Sequence, residues 1–143
     1  MTGKKQESKL PKISDAEWEV VRVLWAKGEC TATNVYEELV GDFDWSPKTV
    51  RTFLARLVEK SVVAVENQGK INHYKSLIDE ETTKKIVGKS FLKKFFSGAL
   101  PSMIVHFVDD ENVTLDELSE LQKVIDSKRA ELKKSQASKR KEK

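Results

Sequence analysis

Apolar residues fall at helical spacing in three stretches of the first half of the chain, then run as a β-branched pair of segments, then return to helical spacing. Ser14-Asp15-Ala16-Glu17 has the pattern of a capping box, in which a hydroxyl and a carboxylate satisfy free amides at a helix start. Ile13 and Trp18 stand where a hydrophobic staple would close that start. Trp18, Val21, Leu24 and Trp25 follow at helical spacing until Gly28 stops the helix. Glu29 to Thr31 reads as a short extended piece, and Ala32 to Val40 as a second helix with Val35, Tyr36 and Leu39 inward. After Gly41, Phe43-Asp44-Trp45 makes a turn. Ser46 caps a third helix with Pro47 at its first position, where the missing N–H is of no consequence. Val50, Phe53, Leu54, Leu57 and Val58 form the apolar stripe of this helix, which runs to about Lys60.

Val62-Val63-Ala64-Val65 predicts a strand, and Gly69-Lys70 turns the chain back into Ile71 to Ser76, although Gly-Lys is a weaker hairpin signal than Asn-Gly. Helix, short strand, helix, turn, helix, hairpin is the order of a winged helix-turn-helix. From Asp79 the character changes. A helix is predicted from Glu80 to Phe96, with a break at Ser97-Gly98 and an apolar segment from Leu100 to Val108. Thr114 and Glu117 form a second capping box, opening a helix that carries Leu115, Leu118, Leu121, Ile125 and Leu132. These stripes have little body to cover them. The expected fold class is mainly α with a small β-hairpin: a winged helix-turn-helix followed by a helical dimerisation region. Phe95, Leu100, Met103, Ile104, Phe107, Leu115, Leu118, Leu121 and Ile125 are the expected dimer contacts.

Charge adds organisation that the hydrophobic pattern does not. The net charge of +3 over 143 residues does not announce a nucleic-acid binder. Residues 1–12 nevertheless carry four lysines against one glutamate, and residues 135–143 carry four basic groups against one acidic. Residues 13–78 and 79–134 are each slightly acidic, with eight basic against ten acidic groups and ten against eleven. The expected division is therefore a basic flexible arm (1–12), a winged helix-turn-helix (13–78), a helical dimerisation domain (79–134) and a basic flexible tail (135–143). Met1 to Lys12 has no apolar stretch behind it, so no secretory signal is expected. No run reaches the roughly 18 apolar residues of a spanning helix, and a cytoplasmic protein without membrane insertion is expected. The single Cys30 can form neither an intrachain disulfide nor a cysteine metal site, and reads as a small buried hydrophobe.

With its buried stripe set aside, the third helix leaves Lys48, Thr49, Arg51, Thr52, Ala55 and Arg56 outward, with no acidic residue before Glu59. Arg and Lys can reach guanine O6 and N7 or a phosphate, and Thr offers a hydroxyl and a methyl. Helix-turn-helix proteins insert the N-terminal part of this helix into the major groove, where free amides also favour phosphate. The expected DNA-binding set is Ser46, Lys48, Thr49, Arg51, Thr52 and Arg56, with Lys70 at the hairpin tip. The alternatives are a merely solvated helix face and an ordinary turn. His73 reads as a strand residue beside Tyr74, and Trp18, Trp25 and Trp45 as core and corner residues. Two histidines, one cysteine and no phosphate-cradling glycine loop give no enzyme, and neither a cofactor nor a metal is expected.

Ile13 to Val20, Val23-Leu24-Trp25, Trp45 to Thr52 and Leu54-Ala55-Arg56-Leu57 closely resemble the penicillinase and methicillin-resistance repressors and the copper-responsive repressors related to them. The resemblance runs from about Ile13 to Lys128. It implies a homodimeric transcriptional repressor, bound to operator DNA carrying inverted TACA and TGTA elements through Ser46 to Lys60. In the β-lactam branch, a membrane sensor with a zinc protease domain triggers cleavage between an Asn and a Phe. That bond aligns with His106-Phe107, where the Phe and its apolar setting match and His stands in place of Asn. The copper branch carries paired Cys-x-Cys motifs, which this chain lacks, so a metal-responsive repressor is the lesser alternative. A winged-helix module that binds protein instead of DNA is another, and such a module need not keep basic residues outward on its third helix.

Overall fold

The computed structural model describes residues 10–141, in the order α1 (Asp15–Lys27), β1 (Cys30–Thr31), α2 (Ala32–Leu39), α3 (Pro47–Glu59), β2 (Val63–Gln68), β3 (Ile71–Ser76), α4 (Glu80–Phe96), α5 (Leu100–Val108) and α6 (Leu115–Lys141). The chain divides after Lys89 into two compact units.

In the first unit, the three strands form one antiparallel sheet in the order β1-β3-β2. The register pairs Cys30 with Tyr74 and Val63 with Ser76. Gln68 pairs with Ile71, leaving Gly69 and Lys70 as a two-residue loop. Gly69 takes φ 71° while Lys70 is not in the positive-φ region, so glycine at the first loop position meets the demand of a II′ hairpin turn. That geometry explains why Gly-Lys serves where Asn-Gly is absent. Helices α1, α2 and α3 bury Val20, Val21, Leu24, Val35, Leu39, Val50, Leu54 and Leu57 together with Cys30, Val62 and Val63. This is the winged helix-turn-helix arrangement expected from the sequence.

Local devices set the helix ends. Ser14 Oγ accepts from the Glu17 amide, and the Glu17 carboxylate accepts from the Ser14 amide, so the capping box at α1 is complete. A second box joins Thr31 and Asn34 at α2, with Asn in the role usually held by Glu or Gln. Helix α3 ends in a Schellman arrangement: the Val62 amide donates to the Leu57 carbonyl and the Ser61 amide to the Val58 carbonyl. Ser61 carries the left-handed turn at φ 62°, a position usually given to glycine.

The division after Lys89 lies within α4, eleven residues beyond the expected boundary at Ile78. The first turns of α4 go with the winged helix. Asp79 Oδ2 accepts from the Thr82 amide at 2.9 Å, capping the helix, and Thr83 is buried. In the second unit, Ser97 and Gly98 both take positive φ and separate α4 from α5. Thr114 and Glu117 cap α6 reciprocally, as expected. Residues 135–141, expected as part of a flexible tail at 135–143, continue α6. Lys, Arg, Gln and Ala are good helix formers, so a polar composition there does not imply an irregular chain. The arm expected at 1–12 lies mostly outside the described residues.

Candidate nucleic-acid interface

Helix α3 presents the candidate interface, and contacts made by three residues, Ser46, Trp45 and Lys60, fix how it does so. Ser46, in extended conformation, accepts from the Thr49 amide at 3.1 Å and caps the helix ahead of Pro47. Trp45, next to the cap, stacks on Phe43 with 4.4 Å between centroids and meets Phe53 edge-on at 5.0 Å. The loop entering α3 is thereby held against the helix it feeds. At the other end, Lys60 Nζ donates to Glu17 Oε1 at 2.6 Å and to the Lys12 carbonyl at 2.7 Å. Glu17 retains only 2% side-chain exposure, so its charge is desolvated and Lys60 is its counter-ion. Burial opposes ionisation of Glu17, but the Lys60 hydrogen bond and the two Ser14 bonds outweigh it and hold the carboxyl below its ordinary value.

Of the sequence-predicted set, Ser46, Lys48, Arg51, Thr52, Arg56 and Lys70 are exposed, and Thr49 is half-buried. Val50, Leu54 and Leu57 are fully buried on the opposite side of α3, so the basic residues and the threonines share the outward strip. Among the described residues, Lys48, Arg51, Arg56 and Lys70 take part in no ion pair. Their charges are not neutralised within the fold, which is what a phosphate or a guanine edge requires of them. The hydroxyls are more committed. Ser46 Oγ and Thr49 Oγ1 lie 3.0 Å apart, and Thr52 Oγ1 donates to the Lys48 carbonyl at 3.0 Å. Thr52 therefore has an acceptor oxygen and its methyl to offer, but not a spare proton. Ala55, small and exposed between Thr52 and Arg56, leaves room for close approach.

Lys70 sits in the hairpin loop, beside a cross-strand bond from Asn67 Nδ2 to Asn72 Oδ1 at 3.1 Å. His73 is a half-buried strand residue paired with Thr31 and Glu66. Cys30 is buried, its thiol pushed up by desolvation. Among the described residues no cluster of His, Cys, Asp or Glu could hold a metal ion, and no helix is long and apolar enough to cross a membrane.

The residues expected at a dimer contact fall in the second unit. Phe95, Leu100, Phe107, Leu115, Leu118, Leu121 and Ile125 are exposed, and Met103 and Ile104 are half-buried. Phe96 meets the His106 ring edge-on at 5.3 Å and lies 6.5 Å from Phe107, so the His106-Phe107 bond lies beside an aromatic cluster. His106 Nδ1 is 3.0 Å from the Ser102 carbonyl, one turn earlier in α5. Sequence reasoning missed Lys60, whose pairing with Glu17 bridges 43 positions. It read Trp25 as a core or corner residue but not its polar tie, the indole N–H donating to the Ile78 carbonyl at 2.9 Å.

Known proteins share most of this chain. The profile described as "Penicillinase repressor" matches residues 13–127. The methicillin resistance regulatory protein MecI of Staphylococcus aureus strain N315 is 37% identical over 122 residues, covering 85% of this chain and 99% of the relative. The penicillinase repressor of Bacillus licheniformis is 35% identical over 118 residues, covering 82% and 92%. A solution structure of Bacillus licheniformis BlaI, a monomeric form in complex with the blaP half-operator, is 39% identical with a TM-score of 0.46, covering 52% of this chain and 90% of that one. The matched stretch includes the capped first helix, the aromatic turn and the basic third helix, and the chain therefore belongs to the penicillinase repressor family.

Proposed function

We propose that the protein is a transcriptional repressor that binds duplex operator DNA, with α3 in the major groove and Lys70 against the backbone. The observation that carries this reading is the exposed strip of Lys48, Arg51, Thr52 and Arg56, with no ion-pair partner among the described residues. In this reading Arg51 meets a base edge, Lys48, near the helix N-terminus, holds a phosphate, and Arg56 adds a further basic contact. Regulators of methicillin resistance and of penicillinase among the relatives make a β-lactam-resistance gene the expected target. The repressor acts in the cytoplasm.

A homodimer on an inverted repeat with TACA- and TGTA-like halves is the form this function takes. What supports it is the apolar surface of α4, α5 and α6, where Phe95, Phe107, Leu115 and Ile125 are left uncovered by a single chain. Release follows from cutting His106-Phe107 by a membrane sensor protease, which would detach α6 and dissolve the pair. The test is a titration of an inverted-repeat duplex and a scrambled duplex at several salt concentrations. The repressor reading expects tighter binding to the repeat, with both affinities falling steeply as salt rises. Equal affinity for the two duplexes would refute operator recognition.

A further inference from the structure

The distal part of α6 lies past residue 127, where the family match ends, and it is exposed and basic. The apolar series of this helix stops at Leu132, and Gln136 and Lys139 stand where it would continue. Arg129, Lys133, Gln136 and Arg140 recur at spacings of four, three and four, which puts them on one side of the helix. Eleven helical steps lead from Arg129 to Arg140, a span of about 16 Å at ~1.5 Å per step. Among the described residues, Arg129, Lys133, Lys134, Lys139 and Arg140 make no ion pair.

We propose that this basic helical extension is a second, sequence-independent DNA contact, in which Arg129, Lys133 and Arg140 engage the phosphate backbone, while Lys134 and Lys139, to either side of that strip, add to its positive field. Charge and composition select that partner. DNA presents a row of negative charges along its length, and lysine and arginine on a helix can follow it without any apolar surface. An anionic membrane surface also attracts basic side chains, but seating a helix in the lipid interface takes an apolar face. Residues 133–140 hold no apolar side chain larger than Ala137. The contact rests on the protein being a DNA binder, but it does not depend on how α3 reads sequence.

The test replaces these five residues by Gln, which keeps helix propensity close to that of Lys and Arg. Wild type and variant are titrated with long duplexes, one with a central inverted repeat and one scrambled, over a range of salt. The salt slope of the variant should be shallower by about three units per bound chain on both duplexes, at ~0.9 unit for each of the three phosphate contacts. Preference for the repeat should be unchanged. An unchanged slope on both duplexes overturns the proposal, even if operator preference stands. Loss of operator preference by wild type would instead sink the repressor reading, and the scrambled duplex would still decide the tail. Flotation with phosphatidylglycerol vesicles supplies the other arm: binding lost in the variant while the DNA slopes stay equal would assign the tail to membrane and overturn the DNA contact. Far-UV circular dichroism confirms that α6 persists. If it does not, deletion of residues 133–143 makes the same comparison: a shallower slope on both duplexes supports the contact, and an unchanged slope overturns it.

Discussion

Glu17 and Lys60 meet at 2.6 Å, joining the first turn of α1 to the residue that caps the end of α3. Glu17 is a capping residue and a buried ion-pair partner at once: its carboxylate takes the Ser14 amide at 2.9 Å and the Lys60 ammonium together. One side chain thus ties the start of the first helix to the end of α3.

Lys60→Met leaves the Glu17 carboxylate desolvated without its counter-ion. Lys60 is itself about a third exposed, so water relieves part of the loss, and the expected cost is about 1–3 kcal/mol. Urea unfolding checks it, and a change within error would remove the pair from the account of stability.

The same pair gives a pH dependence. The folded-state value of Glu17 lies below the ordinary 4.5, so its stabilising contribution is present above that value and is lost as pH falls through the folded one. Wild type should lose stability on acidification in this window more steeply than Lys60→Met, in which the depression is weakened. Parallel acid titrations of thermal midpoints for the two proteins would show the difference, and identical curves would contradict it.

Ser61 holds φ 62° where the Schellman turn favours glycine. Ser61→Gly should raise stability by about 1 kcal/mol, since relief of the left-handed strain exceeds the added freedom of the unfolded chain. A lower melting temperature for the variant would mean that the serine side chain stabilises this turn.

Arg51→Ala should weaken operator binding by about 1–3 kcal/mol and relax discrimination against the scrambled duplex, as removal of a base contact does. Lys48→Ala should lower affinity for both duplexes alike and shallow the salt slope by about one unit. If neither titration changes, the exposed strip of α3 is a solvated face and not a reading surface.

Leu118→Glu with Ile125→Glu places two charges on the apolar side of α6. Sedimentation should show monomers where the unaltered chain pairs, with folding retained because the buried hydrophobic residues lie between Val20 and Val63. An equally tight dimer would relocate the interface. For release, a β-lactam given to the native host should convert the 16.3 kDa chain to fragments matching a cut at His106-Phe107, followed by immunoblot. An intact chain alongside full induction would exclude that cut.

What the sequence determined by itself is local. Capping residues name their partners three positions away, and a stripe at helical period shows which side of α3 must face inward. Ser14, Ser46, Val50, Leu54 and Leu57 were therefore legible, and with them the outward Lys48, Arg51 and Arg56. The II′ turn at Gly69 was legible as a turn but not by type, because the type depends on the φ of both loop residues. The tertiary structure alone decided what depends on distant partners. Lys60 belongs with Glu17 only because α1 and α3 pack, and Trp25 reaches the Ile78 carbonyl only because the chain returns from the hairpin. The end of α6 departs from expectation for the opposite reason. A basic polar segment has no buried stripe to advertise a helix, yet propagation from a capped, well-formed start adds one hydrogen bond for each residue ordered, and the helix runs on to Lys141.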